Sequence, residues 1–217
     1  MKLLHVVPTI NPATGGVAEG VRQMATATIK MGHVVEVVTL DSADENWLQN
    51  LPFLVHPLGP SKLGYRYSSN LIPWLREHVS SFDAVIVDGL WQYHGYATWK
   101  VMQKMKVPYF VFTHGMLDPW FKKTYPLKHL KKWMYWPWAE YRILRDAKAV
   151  LFTCDEERIL SPKSFWLFKC RPKVVSYGTA EPAGDPAYQR EELFKEYPIE
   201  KQIDFSTNIA KKFGYDF

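Results

Sequence analysis

Gly15 and Gly16 stand in "TINPATGGVAEGV", directly after the apolar run of residues 3–7 and before a stretch whose apolar positions recur at helical spacing from Val17. Bare backbone at such a corner permits positive φ and lets a ligand approach. A helix N-terminus behind it offers N–H groups and partial positive charge, which suits a phosphate or another anion. The same residues also read as a plain tight turn before a helix, and the spacing of Gly15, Gly16 and Gly20 is neither G-x-G-x-x-G nor a P-loop. Further chemistry-bearing residues follow other apolar runs: Trp91 and His94 in "GLWQYHG", His114 and Asp118 in "HGMLDPW", and Glu156 in "DEE". A histidine there is a candidate catalyst or a structural hydrogen-bonder. His114 is the stronger candidate because Gly115 follows it and leaves space.

The elements that would position these residues alternate. Strand-like runs cover 3–7, 34–40, 53–56, 84–87, 109–113, 149–153 and 173–176, and helical patterns cover 20–31, 69–80, 96–104, 127–145 and 155–161. That alternation predicts an α/β fold, a Rossmann-like parallel sheet with helices on both faces. Ligands of such sheets bind beyond the carboxyl ends of the strands, where all the candidate residues fall.

With 217 residues, 47% of them hydrophobic, the chain supports one well-formed core and is short for two full domains. A net charge of +5 favours phosphorylated ligands or anionic membrane surfaces without requiring nucleic acid. The two cysteines, Cys154 and Cys170, lack metal-ligand spacing and read as buried free thiols in a reducing compartment. No signal-peptide pattern and no apolar stretch of about 20 residues is present. A cytoplasmic protein is expected, or one peripheral on the inner face of the plasma membrane. The aromatic excess concentrates between residues 120 and 138. There Lys122, Lys123, Lys128, Lys131 and Lys132 are interleaved with Trp120, Trp133, Trp136 and Trp138. Basic residues beside tryptophans suit a membrane interface. The alternative is a solvated helix face whose rings pack onto the sheet.

Five ordered blocks carry a resemblance: "MKLLHVVPTINPATGGVAEGVRQMATATIKMGHVVEVVTL", "FDAVIVDGLWQYHGYATW", "PYFVFTHGMLDPWF", "KKWMYWPWAEYRILRDAKAVLFTCDEER" and "VVSYGT". Together they resemble the N-terminal domain of glycosyltransferase family 4, in particular bacterial and cyanobacterial members that build exopolysaccharide. The resemblance spans residues 1–182 and leaves 183–217 as a linker and an atypical tail. It implies one half of a GT-B fold, in which two Rossmann-like domains face each other across a cleft. The implied reaction moves a sugar from a nucleotide-sugar to a glycan or lipid-linked acceptor, usually with retention, without an essential metal and with no other cofactor. It implies that Gly15, Gly16 and Val17 form the loop near the donor phosphates and acceptor, and that His114 is the histidine contacting the transferred sugar. Asp88-Gly89 departs from the His-Gly that many members carry. "SYGT" stands where many have an Asn-Gly turn.

The nucleotide-binding half is not found in these 217 residues. Glu192 and Glu200 have Glu-x7-Glu spacing, but Pro198 lies between them and the match reads as coincidence. The expectation is therefore a truncated or separately encoded acceptor-side half, inactive alone. It would work with a partner half, or survive as a non-catalytic, membrane-surface module. Nucleic acid is not an expected partner.

Overall fold

The computed structural model describes residues 1–62, 64–175 and 185–196. Contacts divide the chain into two units, Met1–Thr179 and Ala180–Phe217.

The first unit contains strands β1 (Lys2–Val6), β2 (Val34–Thr39), β3 (Leu54–Pro57), β4 (Ala84–Asp88), β5 (Tyr109–Phe112), β6 (Ala149–Phe152) and β7 (Pro172–Val174). Its helices are α1 (Gly16–Lys30), α2 (Leu71–His78), α3 (Tyr93–Met102), α4 (Trp120–Thr124), α5 (Pro126–Tyr135), α6 (Glu140–Asp146) and α7 (Asp155–Leu160). The seven strands form one sheet in the order β3-β2-β1-β4-β5-β6-β7. Every pairing is parallel. A parallel sheet needs crossovers, and those helices cover both faces.

Strand alternation builds two cores. Leu4 and Val6 of β1 join Val85 and Val87 of β4, with Leu71 and Leu75 of α2 and Ile143 and Leu144 of α6, on one face. Val35 and Val37 of β2 join Val21 and Ala25 of α1 on the other. α1 ends as its sequence predicts. Gly32 adopts a φ of 85°, and the amides of Gly32 and His33 return to the carbonyls of Ile29 and Thr28, closing the helix with a left-handed glycine.

The single helix expected over 127–145 is two. The backbone turns between α5 and α6, where Pro137 has no N–H to continue a ladder. The turn drives Trp136 inward. Its ring stacks on Phe165 at 4.2 Å between centroids, and its indole N–H donates to the Leu167 carbonyl at 2.6 Å. Trp136 is fully buried and offers nothing to a membrane, which corrects its assignment as a surface residue. The expectation for the cysteines also changes. Cys154 is exposed, where its sulfur accepts the Glu157 N–H at the start of α7, and Cys170 is half-buried.

The second unit contains α8 (Pro186–Glu196). Its Glu192 is exposed and pairs with Lys195 one turn on, at 3.0 Å. Glu200 and the "SYGT" turn lie outside the described residues.

Candidate active site

From β1 the chain steps outward through β2 to β3, then returns to place β4 on the other side of β1. Such a reversal opens a crevice at the carboxyl ends of the two central strands. The loop after β1 forms one wall. The Asn11 side chain accepts the Ala13 N–H at 2.9 Å, the Thr14 hydroxyl donates to the Asn11 carbonyl at 2.6 Å, and Pro12–Thr14 forms a single tight turn. Gly15 follows at a φ of 96°, a conformation that disfavours any side chain. Gly16 opens α1 without a left-handed φ, and a Cβ on either glycine would meet nothing within 4 Å. The space beside both residues is therefore open. Val17 is partly buried against the α1 core, so its side chain serves packing.

Asp88, the last residue of β4, forms the second wall. Its carboxylate is completely buried and is shared by two histidines. His5 Nδ1 lies 2.7 Å from Oδ2 and His114 Nε2 lies 3.2 Å from Oδ1. Burial works against this charge, but the facing His5 and the hydrogen bonds from both rings prevail and hold the carboxyl down at about 2. His114 sits just past β5, its ring stacked on Phe112 at 4.4 Å. Its backbone is left-handed, with φ 48°, as are Gly89, Trp91 and Gly115 at 90°, 73° and 75°. Left-handed Trp and His are uncommon and persist only where surroundings over-determine them.

One such constraint is Glu157. Its buried carboxylate accepts the Thr113 hydroxyl, the Gly115 N–H at 2.8 Å, the Thr153 N–H at 2.7 Å and the Thr153 hydroxyl at 2.8 Å. It ties both sides of His114 to the end of β6.

Sequence reasoning singled out Glu156, which is exposed on α7, and passed over its neighbour Glu157. It also passed over His5 and gave Asp88 no role. Alternation was the available signal. His5 pairs with Ile86, and Asp88 pairs with Phe112, so residues 5, 86, 88, 112 and 114 share one face of the sheet.

The other candidates separate. His94 is wholly buried in α3, where its Nε2–H donates to the Asp88 carbonyl at 3.0 Å and burial pushes it down to about 4. Of the two readings for it, the structure gives the structural hydrogen-bonder: it holds the β4 end from a wholly buried position, which corrects its candidacy as a catalyst or acceptor-side contact. Asp118 accepts the Trp120 N–H at 2.7 Å and starts α4. Lys122, Lys123, Lys128 and Lys131 are exposed, Lys132 is partly buried, and Trp133 is 42% exposed. Trp91, Lys128, Lys131 and Lys132 line one cavity of about 480 Å³. No helix among the described residues is long and apolar enough to cross a membrane.

A parallel sheet reversing at β1 and β4, with an open glycine turn and a clamped histidine at its carboxyl rim, defines a single Rossmann-like half of the GT-B type. Residues 15–161 match the family described as glycosyl transferase 4-like domain, and the chain belongs to that family. Solved structures share the fold. The Anabaena protein Alr3699/HepE, determined with UDP and glucose, is 14% identical with a TM-score of 0.60 over 89% of this chain and 50% of that one. A glycosyltransferase from Rickettsia africae is 15% identical with a TM-score of 0.55 over 93% of this chain and 50% of that one. MurG from Acinetobacter baumannii is 14% identical with a TM-score of 0.52 over 94% and 55%. The chain thus spans about half the length of these structures. No curated protein sequence matches it.

Proposed function

We propose that this domain is the acceptor-side half of a retaining glycosyltransferase in polysaccharide biosynthesis, moving a sugar from a nucleotide-sugar to a glycan or lipid-linked acceptor. The observation that carries the reading is the shared Asp88 carboxylate, which holds the His114 side chain, 4% exposed, just past the carboxyl end of β5, the end of the sheet where the open Gly15-Gly16 turn also lies. In this reading the glycine turn admits the donor diphosphate toward the N-terminus of α1, whose dipole favours it. His114 contacts the transferred sugar. The bond from the anomeric carbon to the diphosphate breaks, the acceptor oxygen bonds to that carbon, and the hydroxyl proton leaves with the diphosphate. Charge growing on the leaving group needs preorganised donors, and a facing nucleotide-binding half supplies the remainder. Residues 1–217 alone are therefore inactive.

The test is transfer of labelled sugar from a panel of nucleotide-sugars to membrane-extracted acceptor, by residues 1–217 alone and with a nucleotide-binding half. The expected result is transfer only with that half, cut about 100-fold by His114→Ala, a loss of about 2.7 kcal/mol. Transfer indifferent to His114→Ala refutes the site.

A specific observation also favours a membrane location. Trp120, Leu127, Leu130, Trp133, Met134 and Trp138 are all exposed on or beside α4 and α5, among exposed lysines. An apolar, aromatic face flanked by lysines lies well at an anionic bilayer surface. The domain would then work on the inner face of the plasma membrane.

A further inference from the structure

The cavity beside α5 joins residues that the sequence kept apart. Trp91 stands three residues after Asp88, at the rim, whereas Lys128, Lys131 and Lys132 belong to the basic segment, and Tyr135 and Trp138 are among the residues of the remaining wall. We infer that this cavity binds a phosphoryl group carried on a ring or chain body, the phosphoryl oxygens on the three lysines and the body against Trp91, Trp138 and Tyr135. The inference rests on the acceptor-side reading and names the chemistry of that acceptor.

Four observations support it. Among the described residues no carboxylate lies within 4.0 Å of Lys128, Lys131 or Lys132, so the three lysines that line the cavity lack an ion-pair partner, and the Lys128 ammonium rests 4.8 Å from the centre of the Tyr125 ring. Lys132 is held between rings, 4.5 Å from the centre of Trp91 and 5.3 Å from that of Phe121. Burial and the neighbouring Lys128 lower its pKa against the opposing pull of Glu140, a strain that a bound anion relieves. Glu140 does little to neutralise it, since burial pushes that carboxyl up to about 8.

The wall is also preorganised. The Trp91 N–H donates to Glu140 Oε1 at 2.6 Å, which fixes the left-handed backbone of Trp91. The indole N–H of Trp91 is buried with no hydrogen-bond partner among the described residues, so the ring is held by its packing and its backbone. The volume suits a small ligand. Three lysines outmatch a single carboxylate and suit a phosphomonoester, which carries about −1.5 to −2 at neutral pH.

Two sources share this chemistry, a free sugar phosphate and a lipid-borne phosphate. Calorimetric titration of residues 1–217 with glucose-1-phosphate, dihexanoylphosphatidate below its micellar range, glucose and inorganic phosphate separates them. One phosphate-bearing probe is expected to bind with a Kd of about 1 mM or tighter, at least tenfold more tightly than glucose or inorganic phosphate. Tighter glucose-1-phosphate assigns the free sugar phosphate, and tighter phosphatidate the lipid. Lys132→Gln and Lys128→Gln should each weaken that probe by about tenfold, with unchanged circular dichroism. Lys128 is exposed, so its variant keeps the test valid if Lys132→Gln misfolds. Binding of neither phosphate-bearing probe, or equal binding by a folded variant and the parent, overturns the inference. Binding is read without transfer. Its failure leaves the glycosyltransferase reading standing, and failed transfer with intact binding refutes that reading alone.

Discussion

Replacing Asp88 by asparagine removes the charge shared by His5 and His114 and changes the shape by almost nothing. The folded carboxyl is held at about 2, against about 3.9 for an aspartate in an unfolded chain. Each pH unit of that separation is worth about 1.4 kcal/mol, so the carboxylate contributes about 2–3 kcal/mol to stability at neutral pH. The sign follows from the lowered folded value. The contribution is complete above about pH 4–5 and is lost as pH falls through about 2. Asparagine has none of it. Asp88→Asn should therefore melt about 5–10 °C lower at pH 7, at about 2–4 °C per kcal/mol for a chain of this size. The gap should shrink by about 1 kcal/mol between pH 7 and pH 3, as the parent's carboxylate begins to lose its advantage. Urea unfolding of both proteins at pH 7, 5 and 3 measures this. An asparagine variant as stable as the parent, or a gap that does not change with pH, refutes the claim that the two imidazoles hold a buried negative charge.

Glu157→Gln should cost about 2–3 kcal/mol, because a buried amide replaces one oxygen that accepts from Thr153 or from Thr113 and Gly115; thermal melts check it. Gly15→Ala should lose about 1 kcal/mol or more, while Gly16→Ala stays within about 0.5 kcal/mol of the parent, since only Gly15 has positive φ and neither site is crowded. In the transfer assay Gly16→Ala should nevertheless slow turnover, which separates ligand access from folding. Glu140 has a raised folded value, so the parent should lose stability as pH rises from about 4 to about 8. Glu140→Gln retains the acceptor for the Trp91 N–H and should not show that loss, as melts across this range would reveal.

Every strand of the sheet was legible because parallel strands are apolar runs separated by helices, and those runs set which residues fall at their carboxyl ends. The position of His114 just past β5 was legible for the same reason. Asp88 was harder: its partners lie 83 and 26 residues away, and nothing local separates a buried, doubly bonded aspartate from a turn residue. His94 misled because "GLWQYHG" places it just after a strand, yet the helix starting at Tyr93 buries it, bonded to the Asp88 carbonyl. Trp136 misled because its position in a basic aromatic run matched an interfacial pattern. Its buried fate depends on Phe165 and Leu167, the latter 31 residues on. Distance of this kind also explains why nothing in the sequence joined Trp91 to the lysines and Trp138 of residues 128–138 in one cavity.

The strand order has a consequence for synthesis. β1 leaves the ribosome first and gains β2 soon after, but its other edge is completed only by β4, on the order of 80 residues later. At about 5–20 residues per second that interval is roughly 4–16 s. Throughout it, an apolar strand edge in the middle of the future sheet stands uncovered and the His5 ring has no carboxylate to meet. The nascent chain therefore spends those seconds as a partial sheet with an open template for wrong pairing, and the arrival of Ala84–Asp88 both seals that edge and installs the shared charge.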